Sequence, residues 1–274
     1  MEKSPSANVE GLFSWKMSSA AQECAVDVVR AESARFRHPL LMIHGLWTGG
    51  WIWKGFAGYL AHRGWDSWLP SVCGATLEQR AESLWQLART LPAPPIIMAH
   101  DAGFATAVEL AARVGAPTVV AIAPLLSRRD GGTLAIFSGI GFWPARFGAR
   151  DAAPPRGDAA RVLLRGLDPN AAARLAPDSG SFFRAALAGG VTGLDPRDRP
   201  GLVIASHGDP MTPVEAAQRF AVERQWAFDL HGSTGHFPMM ETGFESLADR
   251  LHRWLVRALG EDLLVLLDDE EGGE

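Results

Sequence analysis

The chain has 274 residues, 47% apolar and 21% charged, enough for one large domain with a substantial core. Its net charge is −5, its lysines are Lys3, Lys16 and Lys54 alone, its arginines are scattered, and no run of 18 apolar residues occurs. Neither a nucleic-acid partner nor a membrane span is expected from this. The opening MEKSPSANVEGLFSW lacks a basic stretch followed by an apolar one, and Cys24 and Cys73 match no metal or redox motif. The expectation is a cytoplasmic protein with two reduced thiols.

Residues 1–37 are weakly patterned and form a separate N-terminal segment, in which CAVDVVRAES reads as a short strand or helix. From HPLLMIHG the pattern is clear. Leu40 to Ile43 is an apolar run of the kind buried on both faces of a parallel sheet. WKGFAGYLAHRG follows with Phe56, Tyr59 and Leu60 at helical spacing and Gly64 as a stop. WDSWLPS reads as a strand, and TLEQRAESLWQLARTL as a helix with Leu77, Ala81, Leu84, Leu87 and Leu91 on one face. PPIIMAH is a strand, Ala105 to Val114 a helix, and PTVVAIAP the next strand. This alternation predicts a doubly wound, mostly parallel α/β sheet.

The rhythm stops over 127–200. Helical segments fit GDAARVLLRGL, DPNAAARLA and DSGSFFRAALAGG, which predicts a helical lid inserted between two parts of a core, 38–126 and 201–260. RPGLVIASHGDPMTP restores the strand pattern. PVEAAQRFAVERQ, WAFDLHG and GFESLADRLHRWLVRAL then read as helix, strand and helix, and 261–274 is a solvated acidic tail.

Four polar corners fall where strands end: His44-Gly45, His100-Asp101, His207-Gly208-Asp209 and Gly235-His236. Ligands of a parallel sheet bind beyond those ends. The corner Ala99-His100-Asp101-Ala102-Gly103 has the form of a nucleophile elbow with aspartate in the serine position. With LMIHGLWTGGWIW before it, and LVIASHGDPMTP and GSTGHFPMMETGFESLADRLHRWL after it, the chain resembles the α/β-hydrolase fold superfamily from Pro39 to Leu255.

The resemblance implies Asp101 as nucleophile, Asp209 as the acid orienting His236, and an oxyanion hole from the amides of Leu46 and Ala102. Gly45 and Gly103 then answer a need for little side-chain bulk at the elbow. Phe104 stands where the family often has glycine, and either narrows the pocket floor or tightens helix packing. Trp47, His100, Phe137, Trp143 and Phe237 are the candidate substrate-binding residues of a largely apolar site. Asp158, Asp178 and Asp195 read as solvated lid residues or helix caps. No phosphate loop, metal-ligand cluster or flavin signature occurs, so a cofactor-free, metal-free enzyme acting on a small molecule is expected.

An aspartate attacking an acyl carbon would give a reactive anhydride. Attack on a saturated carbon bearing a leaving group gives an ester, which His236-activated water then opens. This is the logic of the haloalkane dehalogenase and epoxide hydrolase branches. The chain departs from both: its one tyrosine, Tyr59, is not in the lid, Ala102 replaces the tryptophan after the nucleophile, and Leu46 replaces a polar halide donor. A serine-hydrolase lineage with its serine replaced is a further origin. The alternatives are a non-hydrolytic epimerase, lyase or cyclase on this fold that moves a proton with Asp101 or His236, and a ligand-binding member without turnover.

Overall fold

The computed structural model describes residues 13–15, 24–71, 73–127, 151–189, 199–232 and 235–263. Eight strands form one sheet: β1 (Phe13–Trp15), β2 (Cys24–Val29), β3 (Leu40–Ile43), β4 (Ser67–Pro70), β5 (Ile96–Asp101), β6 (Val119–Pro124), β7 (Gly201–Ser206) and β8 (Ala227–His231). Their spatial order is β1-β2-β4-β3-β5-β6-β7-β8. β1 and β2 are antiparallel to their neighbours, and the pairs from β4 through β8 are parallel. The helices are α1 (Lys54–Ala61), α2 (Leu77–Ala88), α3 (Gly103–Val114), α4 (Gly157–Leu163), α5 (Gly180–Gly189), α6 (Val214–Glu223) and α7 (Phe244–Leu259).

The apolar runs form central strands because both sheet faces are covered. Leu40, Met42, Ile96, Met98, Val120 and Ile122 point to a cluster that includes Phe56 and Leu60 of α1 and Leu247 and Leu251 of α7. The alternate residues Leu41, Ile43, Ile97, Ala99, Val119 and Ala121 join Leu84 of α2, Ala107 of α3 and Phe220 of α6 on the other face. This is the doubly wound mostly parallel architecture expected from the alternation of elements. The N-terminal segment, set apart on its weak pattern, supplies the antiparallel edge β1–β2 of the same sheet.

Between β6 and β7 the described part of the insertion, 151–189, holds α4, α5 and a 3-10 turn (Pro169–Arg174), and no strand of the sheet. Its Ala152, Leu163, Phe182 and Phe183 are buried in the same cluster as Leu46, Trp47 and Phe237. Among the described residues, no helix is long and apolar enough to cross a membrane.

Two expectations change, and one open alternative is settled. Cys24 and Cys73, read as free thiols, are joined by a disulfide with a Cα separation of 5.6 Å. The reason is register: β2 pairs Val26 with Pro70, so Cys24 lies beside the residues that follow β4. Asp178, read as a solvated lid residue or helix cap, is buried and ion-paired with Arg80. A charge is tolerated there because its partner meets it in the interior. Asp158 does lie exposed, paired with Arg161, and Asp195 is outside the described residues. Phe104 tightens helix packing. It is buried on the face away from the site, with ring centroids 5.6 Å from Phe220 and 6.2 Å from Trp226.

Candidate active site

Asp101 ends β5, two residues before the first residue of α3, with φ +51°. Few side chains other than glycine adopt such a φ, and strained residues of this kind persist where the surroundings impose them. The turn is as tight as glycine allows: a Cβ on Gly103 would stand 2.3 Å from the His44 carbonyl oxygen. The Asp101 side chain is thereby thrust away from the sheet edge, toward the loop that follows β3.

There its two oxygens fare differently. Oδ2 accepts a 2.8 Å hydrogen bond from the Leu46 amide. The Ala102 amide also favours the charged form of the carboxylate. Oδ1 is buried without a hydrogen-bond partner among the described residues, and lies 3.7 Å from His236 Nε2. Of the two cradle amides named for an oxyanion hole, Leu46 hydrogen-bonds the carboxylate and Ala102 acts on its charge. Burial pushes the Asp101 pKa up, and His236 and the two amides offset part of that rise.

The peptide carrying the Leu46 N–H is held at its other end too. His44 Nδ1–H donates to the Gly45 carbonyl at 2.8 Å, and the Thr48 hydroxyl donates to the same oxygen at 3.2 Å. Burial, joined by the Arg80 charge and opposed by the Gly45 contact, lowers the His44 pKa to about 4, so the ring is neutral near pH 7.

His236 stands between two carboxylates. Its Nδ1–H is 3.0 Å from both oxygens of Asp209, and its Nε2 faces Asp101. Asp209 Oδ1 also accepts from the Met211 amide at 2.7 Å, which fixes the carboxylate. Burial pushes the His236 pKa down, but the Asp209 charge and hydrogen bond and the Asp101 charge outweigh it, and the net direction is up. His100 Nε2–H donates to the His236 carbonyl at 2.8 Å. Burial first, then the neighbouring His236, holds its pKa well below the usual histidine range. His100, His236 and Phe237 form a ring cluster with centroids 4.6–5.1 Å apart.

The structure therefore brings together Asp101, Asp209, His236, Leu46, Ala102, His100 and Phe237. Trp47 adjoins the cradle, and its indole N–H is taken by the Ala152 carbonyl at 3.1 Å. Phe137 and Trp143 lie outside the described residues. Among the described residues, no group of three or more His, Cys, Asp or Glu gathers as a metal site. Sequence reading missed Arg80 and Asp178 beside this loop. Their 98-residue separation leaves no local signal of the pair.

Residues 40–250 match the alpha/beta hydrolase family. The chain belongs to that family. No curated protein matches it. Solved structures of similar fold include a thermophilic esterase from Thermogutta terrifontis, 18% identical, with 91% of this chain and 99% of that one covered and a TM-score of 0.63. An N-acyl homoserine lactonase complexed with N-hexanoyl homoserine is 16% identical, covering 91% and 98%, with a TM-score of 0.66. A thioesterase domain from the curacin biosynthetic pathway is 14% identical, covering 89% and 100%, with a TM-score of 0.64. In this alpha/beta hydrolase the strand ends carry an aspartate–histidine–aspartate line, with an amide cradle at one end of it.

Proposed function

We propose that this protein is a hydrolase of small, largely apolar molecules, acting on a saturated carbon that bears a leaving group, with Asp101 as covalent nucleophile. The observation that supports this reading is the unequal state of the two Asp101 oxygens. Oδ2 already sits where an ester carbonyl oxygen needs amide donors, and Oδ1 keeps its lone pairs free for attack. Oδ1 forms the new C–O bond as the leaving group departs with its electron pair. His236 then takes a proton from water, and the hydroxide adds to the Asp101 carbonyl carbon. The Leu46 and Ala102 amides stabilise the resulting oxyanion at Oδ2. Collapse breaks the Asp101 Cγ–Oδ1 bond, Oδ1 leaves with the alkyl group and takes the proton back from His236 as an alcohol, and the new carboxyl, carrying the water oxygen, loses its remaining proton. Asp209 holds the His236 tautomer and stabilises its cation. Residues 127–200 act as the helical lid, with Phe137, Trp143, His100, Phe237 and Trp47 around the substrate.

The leaving group is one that departs as an anion without a proton. The sole tyrosine, Tyr59, is on α1 and its hydroxyl accepts from Arg63 at 2.8 Å, so no tyrosine acid is available for epoxide opening. Replacing His236 by phenylalanine blocks the second step and leaves the first. Incubated with short terminal bromoalkanes, that variant should carry the added alkyl mass on Asp101, and wild type turned over in heavy-oxygen water should carry label in the Asp101 carboxylate. Absence of both marks overturns the reading.

A second reading has one observation in its favour: burial raises the Asp101 pKa, which suits a proton carrier. Asp101 and His236 then move a proton at carbon without an ester, as in an epimerase, lyase or cyclase. Deuterium from solvent entering recovered substrate or product at carbon, with no label on Asp101, selects it.

A further inference from the structure

Trp47, the residue after the cradle amide, has φ +59°. A tryptophan in this region is costly and is kept there by its surroundings. Three hydrogen bonds from the inserted segment hold it. Its amide donates to Asp178 Oδ2 at 3.2 Å, its carbonyl accepts from the Ala176 amide at 3.0 Å, and its indole N–H donates to the Ala152 carbonyl. Ala152 and Asp178 are themselves paired through both backbone hydrogen bonds, 2.6 and 2.9 Å. They form one clamp around Trp47.

The clamp is anchored on the core by a buried charge. Asp178 Oδ1 accepts from Arg80 Nη2 and from the Ser179 amide. Arg80, on α2, also donates from Nε to the Gly74 carbonyl at 3.0 Å and lies over the Phe182 ring at 3.8 Å. Both side chains are 7% exposed. A carboxylate buried to this degree is held by all its partners at once, because leaving any charge unpaired there is expensive.

We propose that Asp178 is a positioning residue for the oxyanion cradle: by holding Trp47, and through it the Leu46 amide, it makes seating of the 151–189 insertion and readiness of the cradle a single event. This rests on the reading of the Leu46 amide as a cradle donor. When the insertion lifts, Trp47 loses these three ties together, and the Leu46 N–H keeps its place beside Asp101 only through the hold of His44 and Thr48 on the Gly45 carbonyl, and so is loosened. Substrate entry and cradle assembly therefore alternate, and the charge-stabilising site is firm only when the insertion is down.

The test reads the resting protein, with no substrate. The double variant Arg80→Met/Asp178→Leu removes both charges without stranding either. Amide hydrogen exchange at Leu46 should then be about tenfold faster than in wild type, the scale of one lost hydrogen bond, with Met98 on β5 unchanged. The Asp101 carboxyl, followed by carbon-13 NMR, should titrate at higher pH, because a donor that favours its ionised form is loosened. The ionisable groups acting on Asp101 are His236 and Asp209. His100 is its chain neighbour, and His44 lies across Gly45 with the Arg80–Asp178 pair acting on it. The double variant removes one charge of each sign, so its direct charge effects on Asp101 oppose each other, and faster exchange at Leu46 is the readout that separates positioning from electrostatics. Should the double variant not fold, Trp47→Phe deletes one tie and spares the ion pair, with an expected rise in Leu46 exchange of about threefold. Leu46 exchange and Asp101 titration unchanged in a folded variant overturn the proposal. Both readouts responding in a protein that turns over nothing would instead sink the hydrolase reading and leave this one standing.

Discussion

Gly45 and Asp101 touch: a Cβ on Gly45 would stand 2.4 Å from the Asp101 Cβ and 2.5 Å from its Oδ2. Real Cβ atoms do not approach this closely, so one of the two must move. The carboxylate is the softer partner, being a side chain held by the Leu46 amide. Gly45→Ala should push it out of the cradle and lower turnover by about 100-fold or more, the scale set by losing oxyanion donors. Circular dichroism should show a retained fold. A Gly45→Ala variant of full activity would disprove the cradle geometry.

Asp101 is costly to the fold when ionised. Its folded pKa lies above the unfolded value, so its contribution to stability is fully present below the unfolded pKa and lost as pH rises through the folded one. Asp101→Asn keeps an acceptor for the Leu46 amide and discards the charge. Its Tm at pH 7 should exceed that of wild type by about 2–4 °C, corresponding to roughly 1 kcal/mol for a chain of this size. The two Tm values should converge near pH 3. A lower Tm for Asp101→Asn at pH 7 contradicts this account.

His236 must be neutral to take a proton from water, and its pKa is raised. Turnover should therefore climb with pH through a limb above the usual histidine value. Asp209→Asn removes the charge and the acceptor pair that raise that pKa, so the limb should move to lower pH while the plateau falls by about 100-fold or more. A limb that stays in place in a pH–rate profile would show that Asp209 does not act on His236.

Asp101→Ser vacates the cradle, because the carboxylate no longer fills it. The Leu46 and Ala102 amides then become available to an ester carbonyl. Hydrolysis of p-nitrophenyl acetate should rise above wild type by about tenfold or more, with His236 as base. Strong wild-type hydrolysis of this ester, abolished by Asp101→Asn, would refute the argument that a carboxylate here disfavours acyl transfer.

Phe104 belongs to the fold and not to the site. Phe104→Ala opens a hole between α3, α6 and Trp226 and should cost about 3–5 kcal/mol of stability. At a temperature where the variant remains folded, the Asp101 titration should match wild type. A large shift of that titration would place Phe104 in contact with the reacting groups.

The central strands were legible because burial on both faces leaves unbroken apolar runs such as Leu40 to Ile43. The four strand-end corners were legible because their order along the chain survives in space. β2 was ambiguous for a physical reason. Asp27 and the exposed Ala25 interrupt its apolar residues, as suits a strand near the sheet edge, and its antiparallel pairing with β4 needs a partner about forty residues away. Cys24 and Cys73 meet through that same register. Asp178 carried no sign of burial because burial depends on Arg80, which a helix elsewhere presents. Phe104 was undecided between two helix faces, and only the packing of α3 on α6 resolves it.

The Cys24–Cys73 link has a consequence of its own. It closes residues 24–73 into a covalent ring that contains β2, β3, α1, β4 and the Gly45–Trp47 loop. The remainder of the chain leaves this ring as two arms from one point. If β1 frays, the opening halts at Cys24, because the next strand is bonded there to Cys73. In the unfolded chain the ring denies the segment much of its freedom, worth about 4 kcal/mol by loop-closure entropy for a 49-residue separation. The loop that supplies the Leu46 amide is therefore tied at the root by a bond and at the tip by the insertion.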